Sequence, residues 1–217
     1  FICAFLVIAK LSQRWKIRID DDAFFTVVFC VIFGVILGGR LGYVLVYGDG
    51  YYLQHPEKIL AFNEGGMSFH GGLVGVIIGG VIAAKITKIP FLTLADMGVV
   101  GVPIGLFFGR CANFINGELW GAPTDMPWGV VFGGAAGTMP RHPSQLYEAL
   151  LEGVVLFIIL FALSRKTPAR PRGTFFGTFL LFYGLFRFTI EFIRQPDAQI
   201  GYLLGTHWFT MGQALSI

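Results

Sequence analysis

The chain is short of charge. Only 13% of its 217 residues are Asp, Glu, Lys or Arg, where a soluble domain carries about 25%. So few charges cannot cover a water-facing surface. With 55% hydrophobic residues and a mean hydropathy of +0.70, the composition is that of a polytopic membrane protein. Cysteine is also scarce. Cys3, Cys30 and Cys111 lie in or beside apolar runs, fit no disulfide framework or metal spacing, and read as small buried hydrophobes. The net charge of +3 is modest and spread over connecting segments, which points to no nucleic-acid partner. There is no Gly-x-Ser-x-Gly elbow, the turn that exposes a hydrolase serine. Gly71-Gly72 follows no strand, so it is no nucleotide loop. His142 and His207 have no partners at zinc spacing.

Glycine (30) and phenylalanine (23) are abundant instead. Residues 1–9 read as the tail of a first span, with no basic n-region of a signal peptide before them. Further spans are expected at 23–47, 69–87, 92–116, 145–163 and 175–193, and another from Met211 onward. The 23–47 run covers about 37 Å at the helical rise, enough to cross a bilayer. Gly71, Gly75 and Gly79 recur every fourth residue, as do Gly101, Gly105 and Gly109. Such stripes let helix backbones approach closely. The Gly- and Pro-rich stretch 117–143, with Trp120 and Trp128, reads as a small extramembrane head of turns and short strands inserted in one transmembrane domain, 1–217.

Basic residues orient the spans. Lys10, Arg14, Lys16 and Arg18, then Lys85 and Lys88, then Arg165, Lys166, Arg170 and Arg172 fall on alternate connections, ten of the sixteen Lys and Arg. By the positive-inside rule that side is cytoplasmic. The opposite, outer side then holds the 48–69 loop, the 109–143 stretch and the 194–210 loop.

Polar residues gather at that outer side. Arg110, Asn113, Asn116 and Glu118 fall within ten residues at the end of an apolar run. A charge at bilayer depth costs about 2.5–3.5 kcal/mol on insertion scales, so it is rare and usually functional. His70 opens the third span, Gln145 and Glu148 open the fifth, and Arg40 lies in the outer half of the second. Tyr183, Arg187, Glu191 and Arg194, spaced 4, 4 and 3, make one polar stripe on the sixth. Gln145, Glu148 and Glu152 share a face of the fifth. A polar cavity near the outer leaflet is expected. Arg40, Arg110, Arg187 and Arg194 outnumber the acids placed to pair with them, and guanidinium matches phosphate bidentately. The anion at that depth is a phospholipid head group. Simpler roles stand beside this one: intramembrane Arg–Glu pairs can lock helices, Arg187 and Glu191 at i, i+4 can neutralise each other locally, His70 can cap a helix, and Arg110 can snorkel to the surface. A transporter or flippase for an anionic lipid or solute is the alternative function. The lack of an internal repeat and the one-leaflet clustering weigh against it.

Residues 109–121, GRCANFINGELWG, resemble the signature of the bacterial phosphatidylglycerol–prolipoprotein diacylglyceryl transferases. The resemblance extends to 38–43, to 65–72 (GGMSFHGG), to 141–148 (RHPSQLYE) and to 183–197 (YGLFRFTIEFIRQPD), and covers nearly the whole chain. It implies an all-α, seven-span enzyme of the bacterial inner membrane. That enzyme moves the diacylglyceryl group of phosphatidylglycerol onto the lipobox cysteine thiol of a prolipoprotein signal peptide. A thioether forms and glycerol 1-phosphate leaves. Arg110 and Arg187 match arginines essential in the family, Arg110 the one tied to phosphatidylglycerol, and His70 is the candidate base. A cationic cavity alone would also stabilise a thiolate. Asn113, Asn116 and Glu118 are expected to order the fourth helix end and hold Arg110. Glu191 orients Arg187 or Arg194, and Tyr183 positions the lipid. Gly121, Arg194 and Arg40 complete the expected substrate-binding set. No metal or redox cofactor is expected, since displacement at carbon needs neither. The chain departs from the family pattern in a short first span, which in the family carries a tyrosine of functional interest, an absent last span and a short head.

Overall fold

A computed structural model describes residues 2–17, 19–48, 50–165, 171–194 and 213. The expectations for Arg18, Lys166, Arg170, the 195–210 loop and the span from Met211 fall outside the described residues. Two compact units result, one of residues 17–95 and one of residues 1–16 with 96–217. Among the described residues every named element is helical.

Helix α1 (Ile2–Arg14) runs past residue 9, where the apolar run ends. Lys, Ser, Gln and Arg are adequate helix formers, so the helix continues after the hydropathy falls. Helix α2 (Asp21–Tyr47) starts at an Asp20 cap, whose carboxylate accepts the Ala23 N–H at 2.8 Å. Asp21 and Asp22 in its first turn suit the helix dipole. A short turn, α3 (Tyr51–Gln54), leads through two 3₁₀ turns to α4 (Phe69–Thr87). The bounds of α4 are those expected. Its start is capped by Ser68 Oγ, which accepts the Gly71 N–H at 3.2 Å, and its end is the left-handed Lys88.

Helices α2 and α4 meet through glycine. A Cβ on Gly75 would land on the carbonyl oxygen of Gly34, one on Gly71 on that of Gly38, and one on Gly79 on that of Cys30. The expected Gly71–Gly75–Gly79 face therefore packs, and its partner is the Gly34–Gly38–Gly42 face of α2. Backbone-to-backbone approach of this kind is how helices associate where no hydrophobic effect drives them together.

Helix α5 (Phe91–Asn116) contains a buried Pro103. The next span is composite: α6 (Ser144–Glu148), a π-helical stretch Ala149–Val155, and α7 (Leu156–Ser164). Helix α8 (Thr174–Glu191) follows. The 1–16/96–217 unit is centred on Leu11, Val99, Val100, Leu156, Leu160 and Phe175. Asp96 in α5 fixes the start of α8, accepting the Gly173 N–H at 2.7 Å and the Phe176 N–H at 2.8 Å. It supplies from another helix the cap that Gly173 cannot. Gly105 and Gly109 share the spacing of the α4 stripe but not its role. A Cβ on either would meet nothing within 4 Å among the described residues.

Among the described residues four helices are long and apolar enough to cross a membrane: α2, α4, α5 and the composite Ser144–Ser164. Helix α8 is not among them, because Arg187 and Glu191 occupy its last turns. In the 117–143 stretch the expected short strands reduce to isolated bridges, Pro123 with Arg141 and Val130 with Arg141. The prolines there have no N–H to give to a ladder.

Candidate functional site

The ends of α5, α6 and α8 bring three arginines and three glutamates together within the 1–16/96–217 unit. Gly153 allows α5 to come close: a Cβ there would lie 2.7 Å from Phe107 Cβ and 3.0 Å from its Cα. Phe107 is one turn before Arg110, and Gly153 follows Glu152. The π-helical stretch Ala149–Val155 lies at this contact. Such widened turns are frequent at functional sites.

Glu148 is the hub. Its carboxylate is 2.5 Å from Arg110 Nε, 3.3 Å from Arg187 Nη1 and 3.9 Å from Arg194 Nε. Glu191 is 3.0 Å from Arg187 Nη2 and 3.8 Å from Arg194 Nη1. Glu152 approaches Arg110 Nη2 at 3.9 Å. The Glu148, Glu152 and Glu191 side chains are 1%, 0% and 6% exposed, those of Arg110, Arg187 and Arg194 19%, 14% and 12%. The acids are the deeper partners and the arginine side chains keep partial exposure, although Arg187 Nη1 and Arg194 Nε are themselves buried. The expected surplus of arginine is not found here, since three carboxylates face three guanidinium groups. What distinguishes the cluster is the order of its layers.

Beside it, Arg110 Nη1 reaches Asn113 Oδ1 at 3.5 Å. Asn113 Nδ2 donates to Glu118 Oε1 at 2.8 Å and Asn116 Nδ2 to the same oxygen at 3.3 Å. These amides hold the Glu118 carboxyl below its ordinary pKa, Asn113 most and Asn116 next. Gln145 Nε2 donates to the Glu118 carbonyl at 2.6 Å, and Ser144 Oγ to that of Leu119 at 3.1 Å. The helix end thus leans on Arg110 and on α6 together. Gly121 bridges to Arg194, and a Cβ there would lie 2.7 Å from His142 Cβ and 2.7 Å from the Ile193 carbonyl oxygen. Only glycine fits this crossing. Tyr183, one turn before Arg187, stacks on Phe179 with ring centroids 5.5 Å apart.

A family model described as prolipoprotein diacylglyceryl transferase matches residues 1–217. A relative from Geobacter sulfurreducens, named phosphatidylglycerol–prolipoprotein diacylglyceryl transferase, is 55% identical over 216 residues, covering 100% of this chain and 81% of the relative. A relative of the same name from Pasteurella multocida is 53% identical over 216 residues, 100% of this chain and 78% of its own. One from Nitratidesulfovibrio vulgaris strain DP4 is 49% identical over 209 residues, covering 96% and 76%. The chain belongs to the prolipoprotein diacylglyceryl transferase family.

Two of the residues expected at the site of this family member lie in the 17–95 unit. Arg40 is buried and donates to the carbonyl oxygens of Lys58 (2.6 Å), Ile59 (2.7 Å), Gly65 and Gly66 (3.2 Å), with Tyr52 at 5.4 Å under its guanidinium. In its own unit it clasps the 58–66 loop. His70, in the first turn of α4, is exposed and stands edge-on to Phe69. The residues that sequence reasoning undervalued are Glu148 and Glu152. Their shared face was legible, but nothing in the spacing told which arginines they would meet. Arg141 was legible only as part of a motif. It donates to the Ala136 carbonyl at 2.9 Å and to that of Gly121 at 3.3 Å, tying the 117–143 stretch to the site's edge.

Proposed function

We propose that this protein transfers the diacylglyceryl group of phosphatidylglycerol to the lipobox cysteine thiol of a prolipoprotein, the activity for which its relatives are named. The thiolate attacks the glyceryl carbon that bears the phosphate ester. A C–S bond forms, the C–O bond breaks, and glycerol 1-phosphate leaves with the electron pair.

The observation that carries the reading is the layering of the cluster. Burial of Glu148, Glu152 and Glu191 against Arg110, Arg187 and Arg194 fixes the guanidinium groups before substrate arrives, while the arginine side chains keep the greater share of exposure. A preorganised cationic edge stabilises charge that grows on a leaving phosphate without reorganising at that moment. Arg110 and Arg187 form the clamp on the phosphate, and Arg194 flanks it. Asn113, Asn116 and Glu118 hold Arg110 from its own helix end. Glu191 orients Arg187, Gly121 lets the 117–143 stretch cross beside Arg194, and Tyr183 positions the lipid. His70 takes the thiol proton. Arg40 acts from its loop, as a support for the substrate-binding surface.

The setting is the inner membrane of a bacterium, with seven spans in the full protein. The clamp is at the periplasmic leaflet, and the 117–143 stretch is a periplasmic head that meets the signal peptide. The basic clusters, which mark the cytoplasmic side, support this orientation.

The test mixes purified protein with labelled phosphatidylglycerol and a lipobox peptide. A mass shift of one diacylglyceryl group is expected, and none on a Cys→Ser peptide. Arg110→Ala and Arg187→Ala should each lose at least 10²-fold of the rate, roughly the worth of one oxyanion-type donor, while inserting normally. Near-normal transfer in either variant would remove the clamp.

A further inference from the structure

A second cationic site lies at the other end of the same unit. A cavity of about 380 Å³ is lined by Val7, Lys10, Leu11 and Arg14 of α1 and by Phe161 and Arg165 at the end of α7. On α1 these residues fall at i, i+3, i+4 and i+7, one face of the helix. The face is mixed. Val7 and Leu11 form an apolar stripe, with Leu11 buried in the core, and Lys10 and Arg14 stand beside it, exposed. On α7 the pattern repeats, with the Arg165 guanidinium 5.5 Å from the centre of the Phe161 ring. Arg14 Nη1 reaches the Ser164 carbonyl at 3.5 Å and closes the groove between the helices.

Three cations therefore meet over an apolar floor, and among the described residues none of them is ion-paired. Glu148, the partner of Arg110, is seventeen residues before Arg165 along the composite span, roughly 25 Å at the helical rise. The reacting site therefore does not explain these charges. The cavity's size lies in the range of small-ligand sites. Its chemistry has two parts, a phosphate-binding rim and a hydrocarbon-binding wall, open at the end of a membrane helix.

We infer that this groove seats an anionic phospholipid, its phosphate among Lys10, Arg14 and Arg165 and an acyl chain along Val7, Leu11 and Phe161. Basic pockets between transmembrane helices take anionic head groups in this way, and each Lys or Arg near an anionic surface adds a favourable increment to such binding. A free phosphate would use the rim alone. A zwitterionic lipid would use the wall but leave the rim's net charge unanswered. The bound lipid fastens α1 to α7 at the end remote from the clamp.

The experiment titrates the purified full chain in detergent with phosphatidylserine, an anionic lipid other than the named donor, and counts bound copies by native mass spectrometry. Parallel arms use phosphatidylcholine, inorganic phosphate and glycerophosphoserine, which has the head group without chains. Lys10→Gln and Arg165→Gln should each weaken one class of phosphatidylserine binding about five-fold, and the double variant about twenty-five-fold. Arg110→Ala should leave that class in place. Phosphatidylcholine should bind it at least ten-fold more weakly. Equal binding of the two lipids, or unchanged affinity in the double variant, overturns the site. Displacement by inorganic phosphate or glycerophosphoserine at the concentration of the lipid itself reduces it to a free-anion site and overturns the lipid assignment. Transfer is not read in these titrations, so the result is independent of the role given to Arg110 and Arg187.

Discussion

Replacing Glu148 with Gln removes one charge and almost no volume. Glu148 lies within 4 Å of all three site arginines. With Gln there, two buried carboxylates face three guanidinium groups. Breaking a buried ion pair by removing one partner costs about 3–5 kcal/mol, because a charge is left uncompensated out of water. For a chain of this size about 1 kcal/mol moves the melting temperature by about 2–4 °C, so Glu148→Gln should melt roughly 6–20 °C lower. The functional effect is separable. Measured well below the new transition, transfer should still fall by about 10²-fold, the cost of an ångström of misplacement at a reacting centre. The loss should appear mostly in kcat, because the arginines remain and only their aim is lost. Thermal unfolding followed by circular dichroism and peptide transfer followed by mass spectrometry suffice. A melting temperature within 2 °C of wild type together with transfer within two-fold would refute the reasoning. It would mean that the Glu148 carboxyl is neutral in the folded protein, or that the arginines keep their aim without it.

Gly75→Ala should separate α2 from α4 and destabilise by about 1–3 kcal/mol, the cost of overpacking, since its Cβ would land on the Gly34 carbonyl. Gly105→Ala meets nothing within 4 Å among the described residues and should be neutral or stabilising by up to about 1 kcal/mol; equal melting temperatures for the two would contradict the packing account. Glu118 titrates below its ordinary value in the folded protein. Its contribution to stability is therefore complete above the unfolded-state pKa and is lost as pH falls through the lowered folded value. A carboxyl-carbon titration should place its midpoint below 4.5, the ordinary value, and Asn113→Ala should raise it; an unmoved midpoint would break the link between the two. His70→Asn and His70→Gln should each lower transfer by about 10²–10⁴-fold if the ring accepts the thiol proton. Unchanged rates at every pH would leave the cationic edge as the only source of thiolate.

Much of the helical layout was legible in advance because its causes are local. The α4 bounds follow from an apolar run between a Ser cap and basic residues. The end of α5 follows from Gly117, whose φ of +65° a helix cannot continue. Where hydropathy and helix formation diverge, the expectation missed. Helix α1 runs on to Arg14 because leaving lipid does not end a helix. The widened turn Ala149–Val155 has no signature in its apolar sequence.

The sequence by itself determined that the chain belongs in a membrane, which residues carry charge there, and through long motifs the family. Composition, period and spacing are properties of the chain alone. Only the tertiary structure decided who meets whom. Two glycine stripes read alike, yet Gly71–Gly75–Gly79 packs backbone to backbone while Gly105 and Gly109 meet nothing within 4 Å among the described residues, because α2 presents Gly34 and Gly38 in register with the first. The arginines that looked unpaired are answered by Glu148, Glu152 and Glu191, because Gly153 admits Phe107 and α5 closes on the composite span. An ion pair depends on the separation of two side chains across helices. That distance is set by packing and is not written in either segment.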